Sequence, residues 1–97
     1  MNGKKRTFSE LRKLVLSALL SGQQTTNQLS INTGINWRTV EAHLNFLIGK
    51  GLVVEVLKLE YVRIFRITAA GQQHVNSILR QRATVAAVKM KEEVIKL

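Results

Sequence analysis

Four residues at helical spacing carry the clearest chemistry in this chain: Arg38, Thr39, Ala42 and Asn45, preceded by Asn36. The planar fork of Arg38 matches guanine O6 and N7, or a phosphate, and Asn45 on the same side can meet an adenine edge or a phosphate. Ala42 keeps that side slim, while Thr39 and Glu41 flank it. Glu41 has two readings, an acceptor for cytosine N4 or an ordinary solvated carboxylate. Such a face works only if a helix holds it, and the sequence supplies one over 36–49. Val40, Leu44, Leu47 and Ile48 recur on the opposite side and predict a buried stripe. Asn36 is a good N-cap, and Gly51 suits the left-handed position past the C-terminus. Trp37 lies nearer Ile48 than Arg38 around the helix, which favours packing over base contact. His43 falls at the edge of the buried stripe, as a packed or half-exposed histidine rather than a reader. Phe46 lies off the stripe and predicts contact with a later helix or a partner chain. Lys50 complements the helix C-terminus and is also placed to meet phosphate.

The flanking segments read as the scaffold for that helix. Thr7-Phe8-Ser9-Glu10 has capping-box spacing and predicts a first helix with Leu11, Leu14, Val15, Ala18 and Leu19 inward, closed by Gly22. A short second helix is expected from about Thr26 to Thr33, capped by Thr25 or Thr26 and anchored by Leu29. Ile31 is either a further core residue or an exposed apolar contact. Gly34 then turns the chain and Ile35 fills the gap before Asn36. From 52 to 68 the chain reads LVVEVLKLEYVRIFRIT, too long for one ordinary strand. It predicts a hairpin turning at Lys58-Leu59-Glu60, although that tip lacks the usual Gly, Asn or Asp. Phe65 and Ile67 would face inward. Lys58, Arg63 and Arg66 would be phosphate contacts, with pairing to Glu55 or Glu60 as the structural alternative for the arginines. Thr68 is placed to cap a last helix.

That last helix is expected to run over 69–97, roughly 40 Å at 1.5 Å per residue. Val75 and Ile78 can pack on the domain itself. Leu79, Ala83, Ala86, Met90, Val94 and Leu97 continue the near-heptad spacing begun by Val75 and predict a dimerisation coiled coil. A solvated tail is the competing reading, since Lys89, Lys91, Glu92, Glu93 and Lys96 are good surface residues. The expected partner is therefore a second copy of the chain, with two-fold symmetry presenting a pair of 36–49 helices.

The segment TTNQLSINTGINWRTVEAHLNFLIGKGLV, followed by an apolar hairpin, resembles the winged helix-turn-helix superfamily over roughly residues 10 to 80. Its long terminal helix and small basic chain are most similar to archaeal winged-helix proteins that pair through an antiparallel coiled coil. Multiple-antibiotic-resistance-type regulators are a more distant likeness. The resemblance implies a mainly α fold with a β-hairpin wing; together with the readings above, it divides the chain into a flexible basic arm over 1–6, a winged helix-turn-helix domain over 7–68 and a dimerisation helix over 69–97. It also implies double-stranded DNA binding, with Asn36, Arg38, Thr39, Ala42 and Asn45 in the major groove and the wing on the backbone. Phe46 and the unusually apolar wing depart from the family pattern.

Composition narrows the alternatives. Fifteen Lys and Arg against six Asp and Glu give the 97-residue chain a formal charge of +9, which favours polyanionic partners. Lys4, Lys5 and Arg6 form a basic arm, either groove-seeking or simply solvated. Cysteine is absent, so disulfides and thiolate metal sites are excluded. No apolar run approaches the roughly 18 residues of a membrane span, and no signal-peptide layout is visible. A cytoplasmic, nucleoid-associated protein is expected. His43 and His74 lack a carboxylate at ligand spacing and no Gly-rich phosphate loop occurs, so neither an enzyme nor a cofactor is expected. The leading reading is a dimeric transcriptional regulator. Beside it stand a sequence-tolerant chromatin protein and a winged-helix module that binds protein, the last supported by Phe46, Trp37 and Leu59.

Overall fold

The computed structural model describes residues 6–81. Lys4, Lys5 and the proposed seam residues Ala83, Ala86, Met90, Val94 and Leu97 lie outside them. The predicted coiled coil, on which the archaeal likeness rested, therefore lies outside the described residues save for Leu79. Element order is α1 (Phe8–Ala18), β1 (Gln24–Thr25), α2 (Thr26–Thr33), α3 (Trp37–Gly49), β2 (Val53–Lys58) and β3 (Arg63–Ile67). A further helix, α4, covers 69–81. This is the mainly helical, hairpin-bearing architecture that the sequence predicts, with one strand more.

Caps fix the helix starts. The Thr7 hydroxyl accepts from the Glu10 N–H at 3.1 Å, satisfying one of the orphan donors of α1. Thr25 and Gln28 form a full capping box on α2, each side chain accepting from the other residue's N–H, at 3.1 and 2.9 Å. Gly34 closes α2 with φ +72°, and the Ser30 hydroxyl donates to the Ile35 carbonyl at 2.6 Å across the turn. Asn36 Oδ1 then accepts from the Arg38 N–H at 2.8 Å and starts α3.

The core gathers Val15, Leu16 and Leu19 with Leu29, Ile35, Val40, Leu44, Leu47, Val53, Phe65, Ile67 and Val75. One expectation for α1 is corrected. Leu16 is buried, whereas Leu14 is 37% exposed and borders a cleft against α4. At about 100° per residue, positions 15, 16 and 19 share one side of the helix and position 14 falls well away from it, so the inward stripe runs through 15, 16 and 19. Ile31 proves to be exposed rather than a core residue.

The sheet is antiparallel in the order β1-β3-β2. Strand β1, two residues long, has no counterpart among the elements expected from the sequence. It pairs Gln24 with Phe65 and Thr25 with Ile64. Gln24 is buried, yet its side chain is satisfied: the amide nitrogen donates to the Ala18 carbonyl, and the oxygen accepts from Asn32 at 2.7 Å. The wing turn is also displaced from its expected place. The register shifts between Glu55 and Leu57, so Val56 is an unpaired bulge that uses one extra residue on β2. Lys58 thus stays in the strand opposite Arg63, and the turn covers 59–62, closed by the Leu59 N–H to the Val62 carbonyl at 2.7 Å. No described non-glycine residue has positive φ, so the usual primed two-residue turn is absent.

The end of α3 is a Schellman motif. Gly51 has φ +75°, its N–H donates to the Ile48 carbonyl at 2.9 Å, and the Leu52 N–H reaches the Leu47 carbonyl at 3.0 Å. Thr68 binds this turn from the far side of the wing. Its hydroxyl donates to the Gly51 carbonyl at 2.7 Å and its N–H to the Leu52 carbonyl at 3.0 Å. The same hydroxyl accepts from the Gly71 N–H at 3.0 Å, capping α4. Gly71 rides directly on this junction, where a Cβ would collide with the Leu52 carbonyl oxygen and the Ile67 side chain. Gly71→Ala should therefore destabilise the fold by about 2–4 kcal/mol, despite alanine's better helix propensity. Urea unfolding measures it, and a stabilised variant would refute the close approach.

Candidate nucleic-acid interface

The α3 face opposite the core is open. Asn36, Arg38, Ala42 and Asn45 are exposed and Thr39 is half-buried, while Val40, His43, Leu44 and Leu47 point inward. The structure therefore brings together the five helix residues singled out from the sequence. Asn36 has a second occupation, since its side-chain oxygen is already the N-cap acceptor. Trp37 departs from expectation. It is not packed but 47% exposed, and the Arg38 guanidinium lies 5.4 Å from its ring centroid. Trp37 and Ile48 share an angle around the helix but lie eleven residues apart, roughly 16 Å along the axis, so burial at one end says little about the other.

The wing cations divide. Lys58 and Arg66 are exposed, but Arg63 is turned onto the protein's own carboxylates. Its Nε donates to Glu55 at 2.6 Å and its Nη2 to the other Glu55 oxygen at 3.2 Å, a bidentate pairing. Its Nη1 reaches Glu41 on α3 at 3.3 Å. Glu41 is thus an ion-pair partner in this structure, and Arg63 takes the cross-strand alternative with Glu55. Strand alternation separates Arg66 from Arg63, whereas Lys58, cross-strand from Arg63, is exposed because it lies at the wing tip, where residues 58–62 are all exposed. Residues 63, 65 and 67 share the inward face of β3 and residue 66 lies on the other, so Arg66 does not form one surface with Lys58 and Arg63. That period of two was legible beside Phe65 and Ile67 and is the signal that identifies Arg63 as inward-facing.

Electrostatics follow the contacts. The hydrogen bond from Arg63 holds the Glu55 carboxyl below its ordinary range, aided by the charges of Arg63 and Lys58 and opposed by burial. The Glu55 and Glu41 contacts raise the Arg63 guanidinium further, again against burial. On the other side of α3, His43 is buried edge-on to Phe8, with centroids 5.6 Å apart. Burial, then the nearby charge of Arg12, pushes the imidazole below its ordinary value. Arg12 covers Phe46, its guanidinium carbon 3.5 Å from the ring centroid, and Lys50 approaches the same ring at 5.5 Å. Phe46 is thus covered on one face by α1 and remains 38% exposed beside a cleft that His74 of α4 also lines.

Leu79, the only proposed seam residue among those described, is 51% exposed. It borders the α1–α4 cleft of about 550 Å³ with Leu14, Val75 and Ile78. Among the described residues no group of three or more His, Asp or Glu is placed to hold a metal ion, and no helix is long and apolar enough to cross a membrane.

Residues 4–55, more than half of the chain, match the sequence profile described as "Bacterial regulatory protein, arsR family". No curated protein sequence matches the chain. Among solved structures, YusO of Bacillus subtilis superposes with a TM-score of 0.77 at 17% identity, over 82% of this chain and 59% of its own. A MarR family transcriptional regulator from Silicibacter pomeroyi gives 0.68 at 22% identity, over 80% of this chain and 54% of its own. BpsR of Bordetella bronchiseptica, whose DNA binding is regulated by 6-hydroxynicotinic acid, gives 0.72 at 18% identity, over 91% and 67%. These likenesses establish the winged-helix fold. The chain spans between half and two thirds of the length of the first two.

Two acid-linked losses of stability are expected. A lowered folded-state pKa stabilises the protein above the unfolded value and ceases to do so as pH falls through the folded value. For His43 the loss begins below the ordinary value of 6.5, and for Glu55 below 4.5. In urea unfolding across pH, His43→Leu should flatten the upper limb and Glu55→Gln the lower, the latter also costing about 1 kcal/mol at neutral pH. Unaltered profiles in both variants would refute these assignments.

Proposed function

The chain belongs to the bacterial arsR family of regulatory proteins, and on that premise we propose that it is a homodimeric transcriptional regulator that reads double-stranded DNA with α3. The observation that carries this reading is the open face of Asn36, Arg38, Thr39, Ala42 and Asn45 on a capped, core-anchored helix. The charge of +9 supports it, because phosphate neutralisation supplies most of the affinity of such an interface. Division of labour follows from chemistry. Arg38 and Asn45 discriminate bases in the major groove, and Ala42 admits the base edges without obstruction. Lys58 and Arg66 neutralise phosphates and set register without reading sequence. Arg63, expected from the sequence as a phosphate contact, instead ties the wing to the start of α3 through Glu55 and Glu41. The second copy pairs along α4, through Leu79 and the residues that continue its spacing, and sets two α3 helices about one helical turn of DNA apart. The regulator acts in the cytoplasm on nucleoid DNA and uses no cofactor.

Fluorescence anisotropy with the duplex upstream of the protein's own gene, against scrambled duplex at low and moderate salt, tests the reading. A preference for the upstream duplex that survives moderate salt supports a specific regulator. Equal binding that collapses with salt would replace it by a sequence-tolerant chromatin protein, and no binding would overturn DNA recognition altogether. Arg38→Ala should cost roughly 1–3 kcal/mol at one base position and relax preference there, whereas Lys58→Ala should weaken all duplexes alike. Truncation after Ala83 should give monomers in analytical ultracentrifugation, and a persistent dimer would move the interface elsewhere.

A further inference from the structure

A cleft of about 400 Å³ opens between the starts of α2 and α3 and the tip of the wing. Trp37 forms part of one wall, and Leu59, Tyr61 and Val62 form part of the other. Tyr61 is 89% exposed, and Trp37 and Leu59 are both about half exposed. Leaving an indole, a phenol and a leucine in water around one cleft forgoes burial that folding ordinarily secures, so the site is built to be covered.

The charges of the cleft indicate what covers it. Its lining cations are Lys58 and Arg63 and its lining anions are Glu41 and Glu60, so its formal charges cancel on a chain whose total is +9. Arg63 is moreover held by Glu55 and Glu41. The cleft as a whole is therefore not a cationic clamp, with Lys58 at its wing side the one lining cation not engaged by Glu55 and Glu41 in an ion pair. It offers aromatic faces to an uncharged surface, immediately beside Arg38 and Thr39 on the exposed face of α3. On the DNA reading, α3 occupies the major groove and the wing lies over the adjoining backbone. The strand that separates the two grooves must then run between them, over this cleft.

We propose that Trp37 and Tyr61 clasp the apolar C–H surface of that strand, a deoxyribose face or a thymine methyl group, and so add a non-electrostatic component to binding. This rests on the DNA-binding reading of α3. The indole face buries several C–H groups at once, and its cation–π contact with Arg38 links its position to that of the neighbouring base-reading side chain.

The chain holds one tryptophan, so its emission reports on this position alone. Full-length protein is titrated with fluorescein-labelled duplex from upstream of its own gene and with scrambled duplex. Anisotropy scores binding, and acrylamide quenching scores access to the indole. In the complex the quenching constant should fall at least about twofold, and Trp37→Ala should weaken binding roughly tenfold while Trp37→Phe retains most of the affinity. Tyr61→Ala should weaken it about threefold, without altering thermal unfolding because the residue is exposed. A duplex with uracil in place of thymine separates the two surfaces. If wild-type affinity drops to that of Trp37→Ala, the contact is the thymine methyl; if it is unchanged while Trp37→Ala still binds weakly, the contact is deoxyribose. Clear anisotropy with an indole that stays accessible, and a Trp37→Ala variant that binds like wild type, would overturn the clasp and leave the DNA reading standing. Failure to bind any duplex would overturn both.

Discussion

The turn from Gly49 to Leu52 is the constraint on which the other elements depend. Three segments meet there: the end of α3, the first residue of the wing and the start of α4. The Schellman motif consumes the Leu47 and Ile48 carbonyls, leaving those of Gly51 and Leu52 to point outward. Thr68 takes both, one with its hydroxyl and one with its N–H. A residue seventeen positions downstream thus returns to the same turn and closes the wing into a loop of fixed ends. Gly71 allows α4 to lie against that turn at backbone distance. The orientation of α3 relative to the wing is therefore set by backbone groups at one end and by the Arg63 bridge at the other.

The elements most legible in the sequence are those whose signals are local. Asn36, the 40-44-47 stripe and Gly51 define α3 from within their own segment, and Thr25 and Gly34 do the same for α2. Thr68 could be read as a cap because its partners lie in the next turn of α4. Its second role, on the Gly51 carbonyl, depends on a contact that no local pattern encodes. Strand β1 was illegible for a similar reason: two residues have no periodicity, and Gln24 and Thr25 are strand only because β3 offers an open edge there. The length of the 52–68 segment implies a hairpin but carries no trace of the extra residue that the bulge adds to β2, so the turn falls at 59–62 rather than at Lys58-Leu59-Glu60.

Side-chain roles were legible in proportion to how much they depend on the helix alone. The exposure of Arg38, Ala42 and Asn45 follows from the angle of the buried stripe, and the structure preserves it. Trp37 shows the limit of that argument, because angle does not record where along the axis a neighbouring layer ends. Arg63 shows another. Its type suggested a phosphate partner, but its parity with Phe65 placed it on the inner face, where two carboxylates from different elements were waiting. The basic character of the chain is consequently less evenly available to a ligand than its composition implies. On the described helix and wing the exposed cations are Arg38, Lys50, Lys58 and Arg66, while the space between helix and wing is neutral and aromatic.

The bulge at Val56 bears on a different problem. In the order β1-β3-β2, strand β2 is an open edge whose segment VVEVLK carries four aliphatic residues, two of them, Val56 and Leu57, substantially exposed. A flat edge of that composition is a template on which an identical strand from another molecule can add, the first step toward aggregation. An unpaired residue midway along the edge breaks the even spacing of its free N–H and C=O groups and increases the local twist. Glu55 and Lys58 flank the break and resist an incoming apolar strand. The irregularity that displaces the wing tip thus also disfavours addition of a fourth strand from another molecule at this edge.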